Sequence, residues 1–268
     1  MRKNILLSFV IFLMVISILN AQVSSENAAS IMNQARDRIQ METMSSRSRM
    51  VITSKSGSTS ERVIDQYSKD GPNGARAVIV FQRPANVAGT RFLTMDNASG
   101  DTDQWIFLPS LGKVRRISAT ESGGSFMGTD FSYDDISSAD RDISLDTHTL
   151  LREETINAIP VSSTSPCYVI QSVPKDSSYQ YSKTITWVDK NSYLIYKAEM
   201  YNRRGELVKV MEMSDLKEIH GRITPMKTTM STVGTGTSTT IFMDIVKYDD
   251  PIPESVFTSA YLETGRIR

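Results

Sequence analysis

Few residues of this 268-residue chain are placed to do covalent or metal chemistry. Its histidines, His148 and His220, and its single cysteine, Cys167, stand at no metal-ligand spacing, which argues against a zinc site. Carboxylates gather at Asp130, Asp134, Asp135, Asp140 and Asp142. Such oxygen-rich groups suit calcium, but the spacing fits no calcium loop and the closing glutamate is missing. Asp134 and Asp135 are therefore read as capping a short helix or as solvated. Gly123, Gly124 and Gly128 in SGGSFMG are not followed by Gly-Lys-Ser/Thr, so they make no phosphate-binding loop. No Gly-x-Ser-x-Gly elbow occurs among the many serines. The expectation is a protein without cofactor or metal that is not an enzyme. Cys167, in PCYVIQSV, has no partner for an internal disulfide and reads as a buried small hydrophobe.

The first 21 residues resemble a secretory signal peptide. Arg2 and Lys3 precede an apolar run, residues 5 to 19, and Asn20-Ala21 ends it with a small residue. The run is short for a membrane-spanning helix, and no cysteine near the cut offers a lipid anchor. The expected product is a soluble periplasmic domain over residues 22–268, with an uncleaved N-terminal anchor as the alternative. Removing Arg2 and Lys3 from 30 basic and 30 acidic residues leaves the remainder slightly acidic. That charge gives no footprint for nucleic acid and no polybasic segment for anionic lipid.

The elements are legible from their periodicity. Ser24 and Ser25 can cap a helix running to about Met44, with Ala28, Ile31, Met32, Ala35 and Ile39 on one face. Thirteen short runs rich in β-branched and aromatic residues follow, from RSRMVITS to TSTTIFMDIVKYD, separated by turn residues. Asp189-Lys190-Asn191, Arg203-Arg204-Gly205, His220-Gly221 and Gly234-Thr235-Gly236 read as hairpin turns. Strands joined so tightly must be antiparallel. The fold class expected is mainly β with helices (α+β). It is a single antiparallel sheet curved into an incomplete barrel, covered by the N-terminal helix and a mid-chain lid.

Alternation places Trp105 with Phe107, Ile185 with Trp187, Met226 with Met230, and Ile241 with Met243 and Ile245 on shared faces of their strands. Methionine is unbranched and adaptable, which suits a surface that accepts variable apolar shapes. Residues 118–142 interrupt the strands, with a short helix expected at Tyr133 to Ser137. Phe126, Met127, Phe131 and Tyr133 argue that this segment packs as a cover over the sheet.

This order resembles the bacterial lipoprotein-carrier family (LolA and LolB), and within it the outer-membrane lipoprotein-sorting branch. FQRPANVAGTRFLTMD followed by DQWIFLPSLGKVRRIS is similar to the carriers' Arg-Pro after an early strand and Trp-x-aromatic strand ending at proline. Those residues are Arg83, Pro84, Trp105, Phe107 and Pro109. SFMGTDFSYDDI and the closing DIVKYDDPIPESVFTSAYLE are similar to the sorting-protein branch. The resemblance implies an incomplete barrel of about eleven strands around an apolar cavity for acyl chains. It also implies that Arg83 helps to hold the lid shut by bonding helix backbone. The altered spacing between Pro84 and Trp105 leaves the cargo open between a lipoprotein, a free lipid and another apolar molecule.

The function expected is a periplasmic carrier that shuttles acyl chains towards the outer membrane. Trp105, Phe107, Ile185, Trp187, Met226, Met230 and Met243 are the expected lipid-binding residues, with Phe126, Met127, Phe131 and Arg83 in the lid. A monomer is expected, meeting an inner-membrane exporter or an outer-membrane acceptor. The alternatives are a non-catalytic accessory module of an envelope exporter, with no cargo cavity, and an enzyme of unrecognised type.

Overall fold

A computed structural model describes residues 28–38, 41–71, 74–97, 102–137, 141–158 and 163–267. The signal-peptide stretch, Ser24, Ser25, Ile39 and Asp140 lie outside the described residues. Thirteen strands form one antiparallel sheet, curved but not closed into a barrel. The first six are β1 (Thr43–Thr53), β2 (Thr59–Lys69), β3 (Arg76–Arg83), β4 (Arg91–Asp96), β5 (Thr102–Leu108) and β6 (Lys113–Arg116). The other seven are β7 (Asp146–Ala158), β8 (Ser163–Pro174), β9 (Lys183–Asp189), β10 (Ile195–Tyr201), β11 (Leu207–Ile219), β12 (Arg222–Thr232) and β13 (Thr237–Tyr248). The sheet has two strands more than the resemblance implies.

The strand order is β6-β5-β4-β3-β2-β1-β13-β12-β11-β10-β9-β8-β7. It is two meanders joined where β1 pairs with β13, so β6 and β7, neighbours in sequence, are the two opposite edges. The connection between them must therefore link the two edges, and Phe126 and Phe131 of its described part lie in the inner-face core. At the β11–β12 turn, His220 (φ 50°) and Gly221 (φ 76°) both take left-handed backbone, as a two-residue turn matched to strand twist requires.

Among the described residues three α-helices accompany the sheet: α1 (28–37), α2 (Tyr133–Ser137) and α3 (Ser259–Thr264). Helix α1 ends well before Met44, which lies in β1; Thr43 already pairs with Lys69 and draws the chain into the sheet. No helix among the described residues is long and apolar enough to cross a membrane.

Both faces of the sheet carry apolar clusters. On the inner face Met50, Ile64, Ile79, Phe81, Phe92, Ile106, Ala198, Met200 and Met230 form the main core. Ala28, Ile31 and Ala35 of α1 pack on Ile170 and Val188 at the β8–β9 end. On the outer face Val78, Val80 and Leu93 are covered by Val256, Phe257, Tyr261 and Leu262 from the C-terminal segment. Each such side chain contributes roughly 1.5–3 kcal/mol on leaving water. Leu262 is fully buried, and Arg91 donates a 2.6 Å hydrogen bond to its carbonyl. Leu262→Ala should cost about 2–5 kcal/mol in urea unfolding. A loss under 1 kcal/mol would mean that α3 is not part of the core.

A bulge in β13 alters one expected face. Met243 pairs with Ser48 but Ile245 pairs with the next residue, Arg47, so Asp244 is skipped. Ile241 and Met243 keep the inner face, while Ile245 turns out to solvent at 53% exposure.

Candidate functional site

The connection between β6 and β7 enters the inner face as a tight loop over residues 125–132. Met127 (φ 52°) and Gly128 (φ 76°) reverse the chain, Phe126 N–H donates to the Phe131 carbonyl at 2.8 Å, and Ser125 bridges Ser132. The reversal aims Phe126 (fully buried) and Phe131 (4% exposed) into the main core. Phe126 meets Phe81, Phe92 and Tyr133 at centroid distances of 5.7, 5.1 and 5.4 Å, and half-buried Met127 packs against the same cluster. Such offset and edge-on contacts are the favoured aromatic geometries. Helix α2 follows at once, opened by a capping box. Ser132 N–H donates to the Asp135 carboxylate at 2.8 Å, and Asp135 N–H donates to Ser132 Oγ at 2.9 Å.

The underside of the cover is apolar, but its fastenings are polar. Asp130, 8% exposed, accepts hydroxyl hydrogen bonds from Thr232 (2.7 Å), Thr237 and Thr239 (2.7 Å) of the β12–β13 hairpin. Asp130 N–H donates to Thr239 Oγ1 at 3.0 Å. Asp135 accepts from Lys209 Nζ at 2.6 Å and from the Tyr181 hydroxyl at 2.8 Å, with side-chain exposures of 5% for Asp135 and 16% for Lys209. Burial, then the Asp135 charge, raises the Tyr181 phenol, so it remains a proton donor. Asp134 accepts from Gln104 (3.2 Å) and Ser122 (2.9 Å), and burial lifts its carboxyl above the usual range. Arg62 of β2 donates to the Met127 carbonyl while lying 5.9 Å from the Phe81 ring centroid.

Asp130, Asp134 and Asp135 are thus clasps, while Asp142 caps the turn at Ile143–Leu145. Asp130 and Asp135 reach different strands, and among the described residues no group of three or more acidic, histidine or cysteine side chains could hold a metal. Asp130→Ala removes the acceptor for three hydroxyls and should cost about 2–3 kcal/mol. Amide exchange across 125–132 should then accelerate more than in the central strands. Unchanged exchange there would mean that the hairpin clasp does not hold the cover.

The sequence-selected residues divide between the two faces. Met226, Met230 and Met243 share the inner face with Phe126, Met127 and Phe131; Met230 is 1% exposed and the other two methionines are half-buried. Trp105 and Phe107 lie on the outer face against the C-terminal segment, with the Arg91 guanidinium 5.0 Å from the Phe107 centroid. Ile185 and Trp187 are also on the outer face, with Cys167 and Val169, and Trp187 Nε1 donates to Glu154 at 3.3 Å. Arg83, at the exposed end of β3, makes no side-chain hydrogen bond among the described residues. Its register partner is Val63, the neighbour of Arg62, and Arg62 holds the cover.

Alternation tells which residues share a strand face, not which sheet face is inner. Arg62, Lys209 and Tyr181 carried no sequence signal beyond being polar residues within or beside apolar runs. Cys167 is fully buried, and burial pushes its thiol up to about 12. Maleimide at pH 8 should label the folded protein on the order of a hundredfold more slowly than the urea-unfolded chain. Equal rates would contradict that burial.

Beside the cover the inner face stays open as a cleft of about 1960 Å³, reached from the ends of α1, β4 and α2. Its lining includes the polar side chains of Gln104, Asp134 and Arg141.

A family model described only as "Uncharacterized protein" matches residues 73–264. No curated protein matches the chain. Among solved structures, the chain is similar to a domain from Vibrio parahaemolyticus described as an outer membrane lipoprotein-sorting protein, at 26% identity and a TM-score of 0.82. That match covers 89% of this chain and 99% of the other. A DUF1329 family protein from Desulfovibrio piger matches at 28% identity and a TM-score of 0.80, over 89% and 99% of the two chains. A LolA superfamily protein from Nitrosomonas europaea shares the fold at 22% identity and a TM-score of 0.69, over 87% and 98%. The chain belongs to the uncharacterized family matched over residues 73–264, and its fold is the one shared by these lipoprotein-sorting, DUF1329 and LolA superfamily structures.

Proposed function

We propose that the protein is a non-catalytic periplasmic carrier that holds the acyl chains of a lipoprotein or lipid against the inner face of its sheet and delivers them towards the outer membrane. The observation that carries this reading is the mismatch between the cover's underside and its fastenings. Phe126 and Phe131 fill the space over Met230, Phe81 and Phe92, yet the segment is held by carboxylates, hydroxyls and one ion pair. Polar clasps can exchange their partners for water when the cover lifts. The apolar floor cannot, and needs hydrocarbon in place of the two rings.

The magnitudes favour exchange. Lifting two phenylalanines forfeits roughly 3–6 kcal/mol, whereas burying each methylene contributes about 0.8 kcal/mol, so about eight methylenes already match the rings. One long acyl chain exceeds that. Release then needs a partner that binds the open form or offers the chains a better site, an exporter on loading or an acceptor on delivery.

The fullness of the inner core favours one competing reading. Phe126 is fully buried, so the segment could be a permanent plug of an accessory module that binds an exporter without cargo. Native mass spectrometry after detergent-free purification from the periplasm separates the two. Co-purifying lipid or acylated peptide is the expected result. Protein that is empty as isolated and takes up nothing from lipid vesicles would refute the carrier.

A further inference from the structure

The inner face is apolar under the cover and under α1. Next to the cover one cross-strand row reads Ser68, Ala77, Thr94, Gln104, and Gln104 at its end lines the open cleft. Gln104 is 4% exposed and Ser68 is 6% exposed, yet Gln104 Oε1 and Ser68 Oγ have no hydrogen-bond partner among the described residues. Buried acceptors left open in this way are uncommon and call for a donor.

Charge at the cleft is unevenly satisfied. Of its cations, Arg116 pairs with Asp103, Arg141 with Asp146 at 2.9 Å and Arg36 with Asp37 at 2.9 Å, while Arg203 and Lys175 donate to the Ser178 and Ser144 carbonyls. Asp70, Asp96 and Asp134 line the same cleft and make no ion pair among the described residues. Burial, with Asp96 beside it, raises the Asp70 carboxyl, and burial does the same for Asp134; a cation arriving there would relieve both.

We propose that this wall binds a primary ammonium group carried on the polar end of the cargo. The inference rests on the carrier reading and adds to it a class of cargo. An ammonium offers three donors and no acceptor, which matches a wall of carboxylates and an open amide oxygen. The acyl chains would lie beneath the cover and the amine beside Asp96 and Gln104, so that one amphiphile spans both halves of the inner face. A phosphoethanolamine headgroup and a lysine near the acylated end of a lipoprotein both present this group.

Two matched pairs test the inference and identify the source. The first is phosphatidylethanolamine against phosphatidylglycerol with identical chains. The second is a diacylated peptide with one lysine against its acetyl-lysine form. Uptake from vesicles is read by native mass spectrometry. The amine member of at least one pair should be preferred about tenfold or more, as expected for charge-assisted hydrogen bonds at a partly buried site. The pair that discriminates names the source. In an Asp70→Asn/Asp96→Asn variant the preference should collapse while phosphatidylglycerol uptake persists. Asp96→Asn alone replaces it if the double variant takes up no lipid at all. Equal uptake within both pairs, or a preference that survives these substitutions, overturns the inference and leaves the carrier standing. Uptake of neither member of either pair overturns the carrier reading and the inference with it.

Discussion

Lys209→Ala should destabilise the protein by about 3–5 kcal/mol, a large share of a typical folding free energy. The substitution leaves the Asp135 carboxylate, with a side chain only 5% exposed, without its cation. Tyr181 still donates to that carboxylate at 2.8 Å and Ser132 N–H at 2.8 Å, but neither brings positive charge. Replacing both partners with apolar residues, as in Lys209→Met/Asp135→Leu, should recover most of the loss, because no uncompensated charge then remains buried. Urea unfolding of the two single variants and the double variant measures this directly. If Lys209→Ala costs less than 1 kcal/mol, the pair is a surface contact and not a clasp. The same variant should open more often, so acyl uptake should accelerate even as stability falls.

Phe126→Ala should be comparably destabilising, at about 3–5 kcal/mol, because it empties a fully buried site among Phe81, Phe92 and Tyr133. The functional consequence runs the other way. A void lined by aromatic and aliphatic side chains stays dry and accepts apolar guests. The variant should therefore bind a fluorescent fatty acid more tightly than the parent despite its lower melting temperature. Loss of stability together with loss of binding would mean that Phe126 is simply core.

How much of this was readable beforehand differs between fold and site. The thirteen apolar runs selected by alternation and turn residues correspond to β1–β13, because hairpin turns such as His220-Gly221 punctuate a meander without ambiguity. The span Tyr133 to Ser137 is α2 as expected. The pairing of β1 with β13 was not visible, since it joins residues some 200 positions apart and leaves no local pattern. That pairing is what makes β6 and β7 opposite edges, so that the chain between them must link one edge to the other.

The site was less legible for a physical reason. Both sheet faces are apolar, the inner one under the cover and the outer one under Phe257, Tyr261 and Leu262. Trp105 and Phe107 therefore show the same two-residue period as Met226 and Met230 while facing the other way. Asp130 could be noticed as acidic but not as the acceptor for Thr232, Thr237 and Thr239, which lie over 100 residues away. Arg62 took the place beside Arg83 because the side chain that reaches Met127 is the one neighbouring Val63 across the β2–β3 pair.

The central claim, that hydrocarbon replaces the cover's rings on the inner face, is open to one direct measurement. The protein is incubated with a fatty acid bearing a diazirine on its chain and irradiated, and the adducts are located by peptide mass spectrometry. The account predicts labelling at Met230, Met226 or Met243 and along Phe126–Phe131, with less labelling when excess unmodified fatty acid competes. Adducts confined to the outer-face residues Trp105, Phe107, Ile185 and Trp187, or labelling that competitor does not reduce, would contradict it.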